Sequence, residues 1–434
     1  MPKALIITYY WPPAGGSGVQ RWLKFVKYFR EFGWEPVIYT AENPEAPVSD
    51  VSLQKDVPPE IEVIQRRAIE PYSLYKLLSG RKNEKINVGF GSSSNPKGGL
   101  FSRMAIWIRG NLFIPDARML WIRPSIRFLS EYLRKNKIDI IISTGPPHSM
   151  HLIARGLKRK FNIPWIADFR DPWTNIDFYK ELKLSGVADR IHHRLEKSVV
   201  QECDYLTIVT KSWGKDFEPL KENRVIVIPN GFDQEDYQNV KDESPDTLFT
   251  INHFGVVPPS RNCPELWKAI KEYIDRDDEF GSKIRLKFYG HVDHSIKEEI
   301  TRLNIDQYFE FIDFIPHKQV ANLQRRSQVL LLLVNNTPNS YGIQTGKVFE
   351  YLAAERPILA VGPTGGDSDQ LITETGSGMF LQFNDQQKIK EGLKCFWEGY
   401  KNGWTKFDPK NISCYSRKEL TREMASLMNK AVQQ

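Results

Sequence analysis

Apolar and polar positions alternate along this chain in blocks that have the lengths of strands, loops and helices. Two continuous apolar runs of strand length, 329–334 and 358–361, lie on either side of a helical stretch that begins near Gly346. Because continuous apolar strands must be buried on both faces, this arrangement is typical of a βαβ unit with parallel strands. The same alternation recurs in both halves of the chain. The pattern therefore predicts an α/β protein with two doubly wound, Rossmann-like sheets.

The first half opens with a strand at 3–8, a loop that contains Gly15, Gly16 and Gly18, and an amphipathic helix. Between residues 41 and 99 the pattern dissolves into Pro, Ser, Gly and charged residues, which predicts a long mobile insertion. The other strands of this sheet are predicted at 36–40, 138–143, 164–168, 205–209 and 225–228.

The second half repeats the pattern after the polar run 234–246, which is the best candidate for a domain boundary. We therefore expect one domain at 1–233 and a second at 234–415, with the last helix, 416–434, packing back on the first domain. The strands of the second sheet are predicted at 248–254, 284–289, 308–312, 329–334, 358–361 and 379–381.

Composition narrows the class of partner. Of its 434 residues, 26% are charged and 41% are hydrophobic, which is the balance of a folded protein. The net charge of +7 favours anionic partners. No long run of Lys or Arg indicates nucleic acid. No stretch has the form of a signal peptide or a membrane span, so a cytosolic location is expected. The four cysteines are far apart and lack C-x-x-C spacing, which favours reduced thiols over a metal site.

Residues 103–135 interleave seven Arg or Lys residues with aromatic and aliphatic ones. Such a segment can lie on an anionic membrane surface with its rings at the level of the headgroups. It is also the pattern of two helices that pack on a sheet and turn their cations to water, and we favour this second interpretation.

Polar side chains follow two neighbouring strands of the first sheet. His148 comes shortly after the strand 138–143, and Asp168, Arg170 and Asp171 end the next one. Because ligands of doubly wound sheets collect at the carboxyl ends of the strands, these four side chains are expected at one site. Capping of the following helices is the structural alternative. The glycine loop does not read G-x-G-x-x-G, which disfavours a nicotinamide cofactor.

The second sheet offers an anion site in the same position. Gly342 and Gly346 allow close approach of the backbone, Lys347 places a cation in the first turn of a helix, and Glu350 lies on the same helix face. Arg261 occupies the first β-to-α loop of this domain, at the same sheet edge. A phosphate with a hydroxylated ring beside it would fit this combination. An ordinary βαβ unit with a solvated Lys/Glu pair is the alternative.

Four segments carry a family resemblance. Residues 11–18 (WPPAGGSG), 168–173 (DFRDPW), 255–262 (GVVPPSRN) and 349–360 (FEYLAAERPILA) resemble GT-B glycosyltransferases of family four, and the resemblance covers nearly the whole chain. It implies two Rossmann-like domains facing across a cleft. It also implies transfer of a sugar, with retention and without a metal or other cofactor, from a nucleotide diphosphate donor to an acceptor hydroxyl. The implied acceptor is a glycan or polyprenyl-linked sugar of bacterial surface-polysaccharide synthesis, reached at the inner face of the cell membrane.

The resemblance assigns the donor pyrophosphate to Arg261 and the nucleotide ribose to Glu350. The full set of expected donor-binding residues is Gly15, Gly16, Arg261, Asn262, His317, Thr345, Gly346, Lys347 and Glu350.

The chain departs from the family pattern in two places. The first of two expected glutamates is missing, since the matching segment 339–342 reads NSYG, and no first-domain catalytic histidine is evident. Asp171 is therefore the first choice for the polar catalytic group, Asp168 the second and His148 the third, with Arg170 beside them. The D-x-D sequence at 367–369 is interpreted as a helix N-cap and not as a metal site. An epimerase of the same fold and a non-catalytic nucleotide-sugar-binding protein are the rival functions.

Overall fold

The computed structural model describes residues 1–46, 49–68, 107–238, 244–313, 315–403 and 408–433. The chain forms two compact α/β units. The first contains the described residues up to Pro229 together with 417–433, and the second contains Asn230–Ser416.

The first unit is built on a seven-stranded parallel sheet. Its strands lie in the order β3-β2-β1-β4-β5-β6-β7, and its central strands are largely apolar because helices cover both faces. The strands are β1 (Lys3–Ile7), β2 (Glu35–Ala41), β3 (Glu62–Arg66), β4 (Ile140–Gly145), β5 (Trp165–Phe169), β6 (Tyr205–Ile208) and β7 (Val225–Val227). The helices are α1 (Ser17–Phe29), α2 (Met119–Lys135), α3 (Ser149–Phe161), α4 (Gly186–Glu202) and α5 (Lys211–Phe217).

The second unit is built on a six-stranded parallel sheet with the order β10-β9-β8-β11-β12-β13. Its strands are β8 (Phe249–Phe254), β9 (Ile284–Tyr289), β10 (Phe309–Ile312), β11 (Val329–Leu333), β12 (Ile358–Gly362) and β13 (Gly378–Gln382). Its helices are α6 (Glu235–Gln238), α7 (Pro264–Arg276), α8 (Asp278–Lys283), α9 (His294–Arg302), α10 (His317–Arg326), α11 (Gly346–Ala354), α12 (Asp367–Thr375) and α13 (Gln386–Lys401).

Strand order reverses once in each sheet. The reversal lies between β1 and β4 in the first unit and between β8 and β11 in the second. Loops that leave such a pair of strands diverge to opposite faces of the sheet and open a crevice at its carboxyl edge. The two doubly wound sheets confirm the predicted fold class, and each has one crevice of this kind.

The last helix, α14 (Arg417–Val432), belongs to the first unit. It packs against α1, and Met424 and Met428 are fully buried in the core of that unit. Lys418 forms an ion pair with Glu31 at 2.6 Å beside this contact.

The prediction of an unstructured insertion after residue 41 is wrong for its first part. Strand β3 extends the sheet, and its Val63 pairs in parallel with Ile38. Its sequence, EVIQR, has only two apolar residues because it is an edge strand with one side open to water, so hydrophobic patterning alone does not reveal it. Residues 69–106 lie outside the described part of the chain, and the prediction stays untested there.

Helix α2 covers residues 119–135 of the basic and aromatic stretch, and it shows whether these residues pack on the sheet or face outward. Trp121 is buried and stacks on Tyr39 with ring centroids 5.1 Å apart, and Leu129 is fully buried. Arg123 and Arg127 are exposed on the opposite side. The aromatic residues of α2 therefore pack on the sheet, as in the favoured interpretation. Within the described ranges, no helix combines the length and apolar character needed to cross a membrane.

Candidate functional site

The crevice of the second unit holds a lysine against the backbone at the end of β8. A Cβ placed on Gly255 would lie 2.4 Å from Cε and 2.5 Å from Nζ of Lys347. Gly255 has a φ of +105°, which also favours glycine at this position. The side chain of Lys347 thus reaches from the first turn of α11 across to β8, the strand on the other side of the crevice.

Arg261 lies on the same edge, in the short turn Pro259–Arg261 after β8. Its Nε donates a hydrogen bond to Oδ1 of Asn335 at 2.6 Å, and its Nη1 donates to the carbonyl of Val256 at 3.1 Å. Asn335 follows β11, so this contact joins the loops that leave β8 and β11. Asn335 was not among the predicted site residues, because its role depends on a partner 74 positions away in the chain.

The electrostatics of this edge favour an anion. Burial and the neighbouring charge of Arg261 lower the pKa of Lys347 to about 7, although Glu350 acts in the opposite direction. Lys347 forms no ion pair with any described residue. Two cations so close together, one of them half-buried, repel each other and would be stabilised by a negative ligand.

A neutral histidine lies behind these cations. His253 is fully buried in β8, and its Nδ1 is 2.9 Å from the carbonyl of Leu331. Burial lowers its pKa well below the ordinary value, and the charges of Lys347 and Arg261 add to this effect. His253 therefore contributes no competing charge, and Nδ1 is the nitrogen that carries the proton, since a carbonyl accepts.

The N-terminus of α11 faces open space. Thr345 is the N-cap residue, and its side chain makes no capping hydrogen bond. A Cβ placed on Gly346 would meet no atom within 4 Å. The first amide groups of a helix lack partners inside the helix and attract anions. The structure therefore brings Thr345, Gly346, Lys347 and Arg261 together at one edge.

Tyr351 fixes α11 in place over the crevice. Its hydroxyl accepts a hydrogen bond from the amide of Phe254 at 3.0 Å and donates to the carbonyl of Leu331 at 3.3 Å. It thus connects the helix to both strands that flank the crevice. Sequence patterning assigns Tyr351 only to the buried helix face, and its hydroxyl is the signal that it has a second role there.

Glu350 is half-buried on α11 and is oriented by the side chain of Gln324. The Nε2 of Gln324 donates to Glu350 at 3.3 Å, and its Oε1 accepts from the hydroxyl of Tyr237 at 2.6 Å. A carboxylate held in this way can accept hydrogen bonds from a pair of hydroxyl groups.

Asn262 and His317, two of the predicted donor-binding residues, have different outcomes in the structure. Asn262 uses both ends of its amide inside the protein, donating to Glu299 at 2.7 Å and accepting from Trp267 at 2.8 Å. The structure therefore gives it a structural role in place of the predicted donor contact. The side chain of His317 lies outside the described atoms, so that prediction stays untested.

The D-x-D sequence lies at the start of α12, where Gly366 and not an aspartate is the N-cap residue. Asp369, in the first turn, accepts a hydrogen bond from the amide of Gly365 at 2.7 Å. The predicted N-cap role is therefore wrong, but Asp369 still stabilises the start of α12 from a position in its first turn. Among the residues that the structure describes, no three His, Cys, Asp or Glu side chains are grouped to hold a metal ion.

In the first unit, the glycine loop runs into α1 at the carboxyl edge. Gly16 is the N-cap residue with a φ of 92°, and Gly15 is buried just before it. Arg170 holds this loop, because its guanidinium donates to the carbonyls of Gly18, Gly145 and Pro146. Arg170 was predicted in the catalytic set, and its contacts are those of a residue that positions two loops.

Asp168 is fully buried and forms an ion pair with Arg21 at 2.9 Å. Its carboxylate also accepts hydrogen bonds from Trp22, Thr144 and Thr207. Burial alone would raise the pKa of Asp168, but the charge of Arg21 and these hydrogen bonds outweigh it and lower the pKa. The prediction of a catalytic Asp168 is corrected accordingly, since its oxygens are fully used by the fold.

His148 lies at the N-cap position of α3 but makes no capping bond. Its ring is 8% exposed and stacks on Trp173 at 4.5 Å. Asp116 supplies the cap instead, accepting from the amide and hydroxyl of Ser149, both at 2.8 Å. Burial lowers the pKa of His148 well below its ordinary value. The structure therefore places His148 as a packed ring for which burial favours the neutral form.

Asp171 is the member of the predicted set whose carboxyl stays available. It is half-buried and makes no hydrogen bond to any described residue. Burial raises its pKa, with Arg170 opposing this effect and Asp177 adding to it. A carboxyl of this kind, at the carboxyl edge of a sheet, is a candidate for a polar catalytic group.

Comparison with known proteins agrees with this architecture. Residues 90–236 match the family model Glycosyltransferase Family 4. TarM from S. aureus has a similar fold, with 12% identity over 99% of this chain and 100% of that chain and a TM-score of 0.61. Sucrose-phosphate synthase from Thermosynechococcus elongatus has 13% identity over 100% and 97% of the two chains and a TM-score of 0.56.

The UDP-GlcNAc 2-epimerase from Methanocaldococcus jannaschii is also similar, with 13% identity over 99% and 100% of the chains and a TM-score of 0.55. No curated protein sequence matches the chain significantly. These likenesses and the two parallel sheets confirm the predicted resemblance and fold class. The protein therefore has the GT-B fold of glycosyltransferases, with a region that matches Glycosyltransferase Family 4 at residues 90–236.

Proposed function

We propose that the protein is a retaining glycosyltransferase that moves a sugar from a nucleotide diphosphate donor to an acceptor hydroxyl. The observation that carries the proposal is the half-buried ammonium of Lys347, beside Arg261 and before the open N-terminus of α11. This edge suits the diphosphate of the donor, and Glu350 suits its ribose. The TarM structure is a complex with Fondaparinux, alpha-GlcNAc-glycerol and UDP, and a nucleotide of this kind has the chemistry that the crevice favours.

In the proposed reaction, the bond between the sugar and the diphosphate breaks and a bond to the acceptor oxygen forms. The departing diphosphate gains negative charge, and the acceptor hydroxyl gives its proton to a general base. Lys347, Arg261 and the amides of α11 would stabilise that charge without a metal, since preorganised cations and dipoles act on charge as it develops. Asp171 is proposed as the polar group of the first unit. We further propose a glycan or polyprenyl-linked acceptor of surface-polysaccharide synthesis and a peripheral association with the inner face of the cell membrane.

Thermal unfolding with nucleoside diphosphates in EDTA tests the donor site. A nucleotide at about one hundred times its dissociation constant is expected to stabilise the protein by roughly 2.7 kcal/mol. Lys347→Ala should lose this effect, and Lys394→Ala, an exposed lysine of the same unit, should keep it. Stabilisation that requires added Mg²⁺, or none with any nucleotide, would contradict the proposal.

Epimerisation is a second candidate, because the similar Methanocaldococcus jannaschii protein is an epimerase of the same fold. An epimerase or hydrolase would convert the donor without an acceptor. Incubation with the nucleotide-sugar alone separates the two functions, since a glycosyltransferase needs the acceptor for rapid turnover. Tight nucleotide binding without turnover, across a panel of donors and acceptors, would instead indicate a binding protein.

Asp171→Asn is expected to lower turnover by about a hundredfold while nucleotide affinity changes little. The substitution removes a charge in the first unit, whereas the diphosphate is proposed to bind the second, and general acid–base groups contribute factors of about 10²–10⁴. Turnover and nucleotide affinity are to be measured on the same preparation. An equal loss in both quantities would mean that Asp171 has a structural role.

Glu350→Ala is expected to raise the Michaelis constant of the donor with little change in kcat. Its carboxylate would bind the ribose equally in the ground state and the transition state, and such uniform binding does not accelerate the chemical step. Initial rates over a range of donor concentrations measure this. A large loss of kcat at saturating donor would contradict the proposed ribose contact.

Nucleotide affinity is expected to fall as pH rises above neutrality. Lys347 has a lowered pKa of about 7, so it is increasingly neutral at higher pH in the free protein, while the bound diphosphate favours its charged form. Affinity should therefore drop by up to about tenfold per pH unit above that pKa. The nucleotide keeps a constant charge above about pH 7.5, because the last phosphate pKa is about 6. Lys347→Met should remove the pH dependence in a titration series, and an unchanged slope in this variant would assign the effect elsewhere.

A further inference from the structure

Two segments of the first unit present large apolar side chains to water. The helical residues 107–112 expose Trp107 at 46% and Leu112 at 59%. The first turns of α4 expose Val187 at 61% and Ile191 at 40%. Exposed apolar residues that cluster in this way mark an interaction surface more often than isolated ones do.

The first segment is in direct contact with the residues that lead into α4. The side chain of Asn111 accepts a hydrogen bond from the amide of Ser185 at 2.6 Å and donates to the carbonyl of Lys183 at 3.3 Å. Gly110 packs so closely that a Cβ on it would lie 2.8 Å from the carbonyl of Leu182. We call the surface formed by 107–112 and the outer side of α4 the apolar-basic face.

The outer side of α4 alternates apolar and cationic residues. Val187, Arg190, Ile191 and Arg194 follow each other at helical spacing on one side, and all four are exposed. Asp189, within the same turns, accepts a hydrogen bond from the hydroxyl of Tyr179 at 3.0 Å and lies 3.4 Å from Nδ1 of the exposed His193.

The nearby acidic residue Glu196 is buried and accepts hydrogen bonds from the amides of Trp173 and Thr174. The exposed Lys183 adds a further cation beside Asn111. Just before it, the exposed Lys180 and Glu181 carry opposite charges. The apolar-basic face thus carries positive charge around its apolar side chains.

We propose that the apolar-basic face docks the first unit on an anionic membrane surface. Apolar side chains would enter the boundary between headgroups and acyl chains, and the arginines would contact lipid phosphates. A second copy of the chain is the poorer occupant, because two cationic faces would repel each other. This inference rests on the peripheral association proposed above. It assigns that association to α4 and to residues 107–112, which are one part of the basic and aromatic stretch 103–135; Trp121, in another part of the stretch, is buried.

Flotation of the full chain with phosphatidylglycerol vesicles tests the assignment. Each cation near an anionic surface contributes a factor of about five in binding, so Arg190→Gln with Arg194→Gln should weaken binding by roughly twentyfold or more. Val187→Ser with Ile191→Ser should weaken binding as well, but without changing its dependence on salt. Arg134→Gln with Lys135→Gln is the matched control, since it removes two exposed cations at the C-terminal end of α2, outside the apolar-basic face. It should weaken vesicle binding far less.

Three results would overturn the proposal. These are no flotation of the wild type at low salt, equal binding to phosphatidylcholine vesicles, and an equal loss in the control and the Arg190/Arg194 variant. Dimerisation in light scattering that the Val187/Ile191 variant abolishes would assign the face to a second copy. Thermal stabilisation by nucleoside diphosphates should stay unchanged in all these variants, so failure of membrane docking remains distinguishable from failure of the proposed donor site.

Discussion

Asp168→Asn is expected to lower the free energy of unfolding of the first unit by about 3–5 kcal/mol. The substitution removes one partner of a buried ion pair and leaves the guanidinium of Arg21, which is 1% exposed, without its counter-charge. Arg21 would keep its hydrogen bonds to the carbonyls of Ile228 and Pro229 and could still donate to the one amide oxygen at position 168, but none of these acceptors carries a negative charge. Urea denaturation followed by tryptophan fluorescence measures the loss, since Trp22 contacts Asp168 directly.

The sign of the pH dependence follows from the lowered pKa of Asp168. A carboxyl with a lower pKa in the folded state stabilises the protein above its unfolded pKa of about 3.9 and loses that contribution as the pH falls through the folded value. The deficit of the Asp168→Asn variant should therefore be constant near neutral pH and shrink only in acid.

Glu202→Gln is the matched control for this prediction, because Glu202 forms an ion pair with Arg159 on the surface. Surface pairs contribute less than about 1 kcal/mol. Thr207→Val provides a graded test, since it removes one hydrogen bond to Asp168 and should cost about 1–3 kcal/mol. A cost for Asp168→Asn no larger than that of Glu202→Gln would show that the buried pair does not stabilise the fold.

Lys347→Ala and Arg261→Ala are each expected to lower turnover by about a hundredfold. Loss of one preorganised charge contact to a developing negative charge costs on the order of 3 kcal/mol of transition-state stabilisation. Both residues lie at the β8/β11 crevice, where the side chain of Lys347 packs against Gly255. Steady-state kinetics at saturating donor and acceptor measure kcat for each variant.

Lys394→Ala serves as the control for these variants, because this lysine is exposed on α13 of the same unit. It should keep the wild-type rate. Near-normal rates in both crevice variants, or wild-type activity that is abolished by EDTA and restored by Mg²⁺, would contradict the site proposed here.

Hydrophobic patterning was sufficient for the two sheets and for the crevices at their carboxyl edges. Continuous apolar strands such as 329–334 must be covered on both faces, and helices between parallel strands must begin at one edge. It missed β3, whose exposed edge position does not require apolar residues. The anion site was recognisable in outline because glycines and Lys347 at a helix start are local signals.

The roles of individual polar residues were decided only by the tertiary structure. Asp168 and Asp171 are three residues apart and look alike in the sequence, yet Asp168 is buried against Arg21, 147 positions away, while the carboxyl of Asp171 stays available. Asn262 was predicted to contact the donor, but Glu299 and Trp267 occupy its amide. The sequence by itself determined the fold class and the edge where a ligand is expected, since both follow from local periodicity. Which side chains remain free for chemistry depends on partners distant in the chain, and only packing selects those partners.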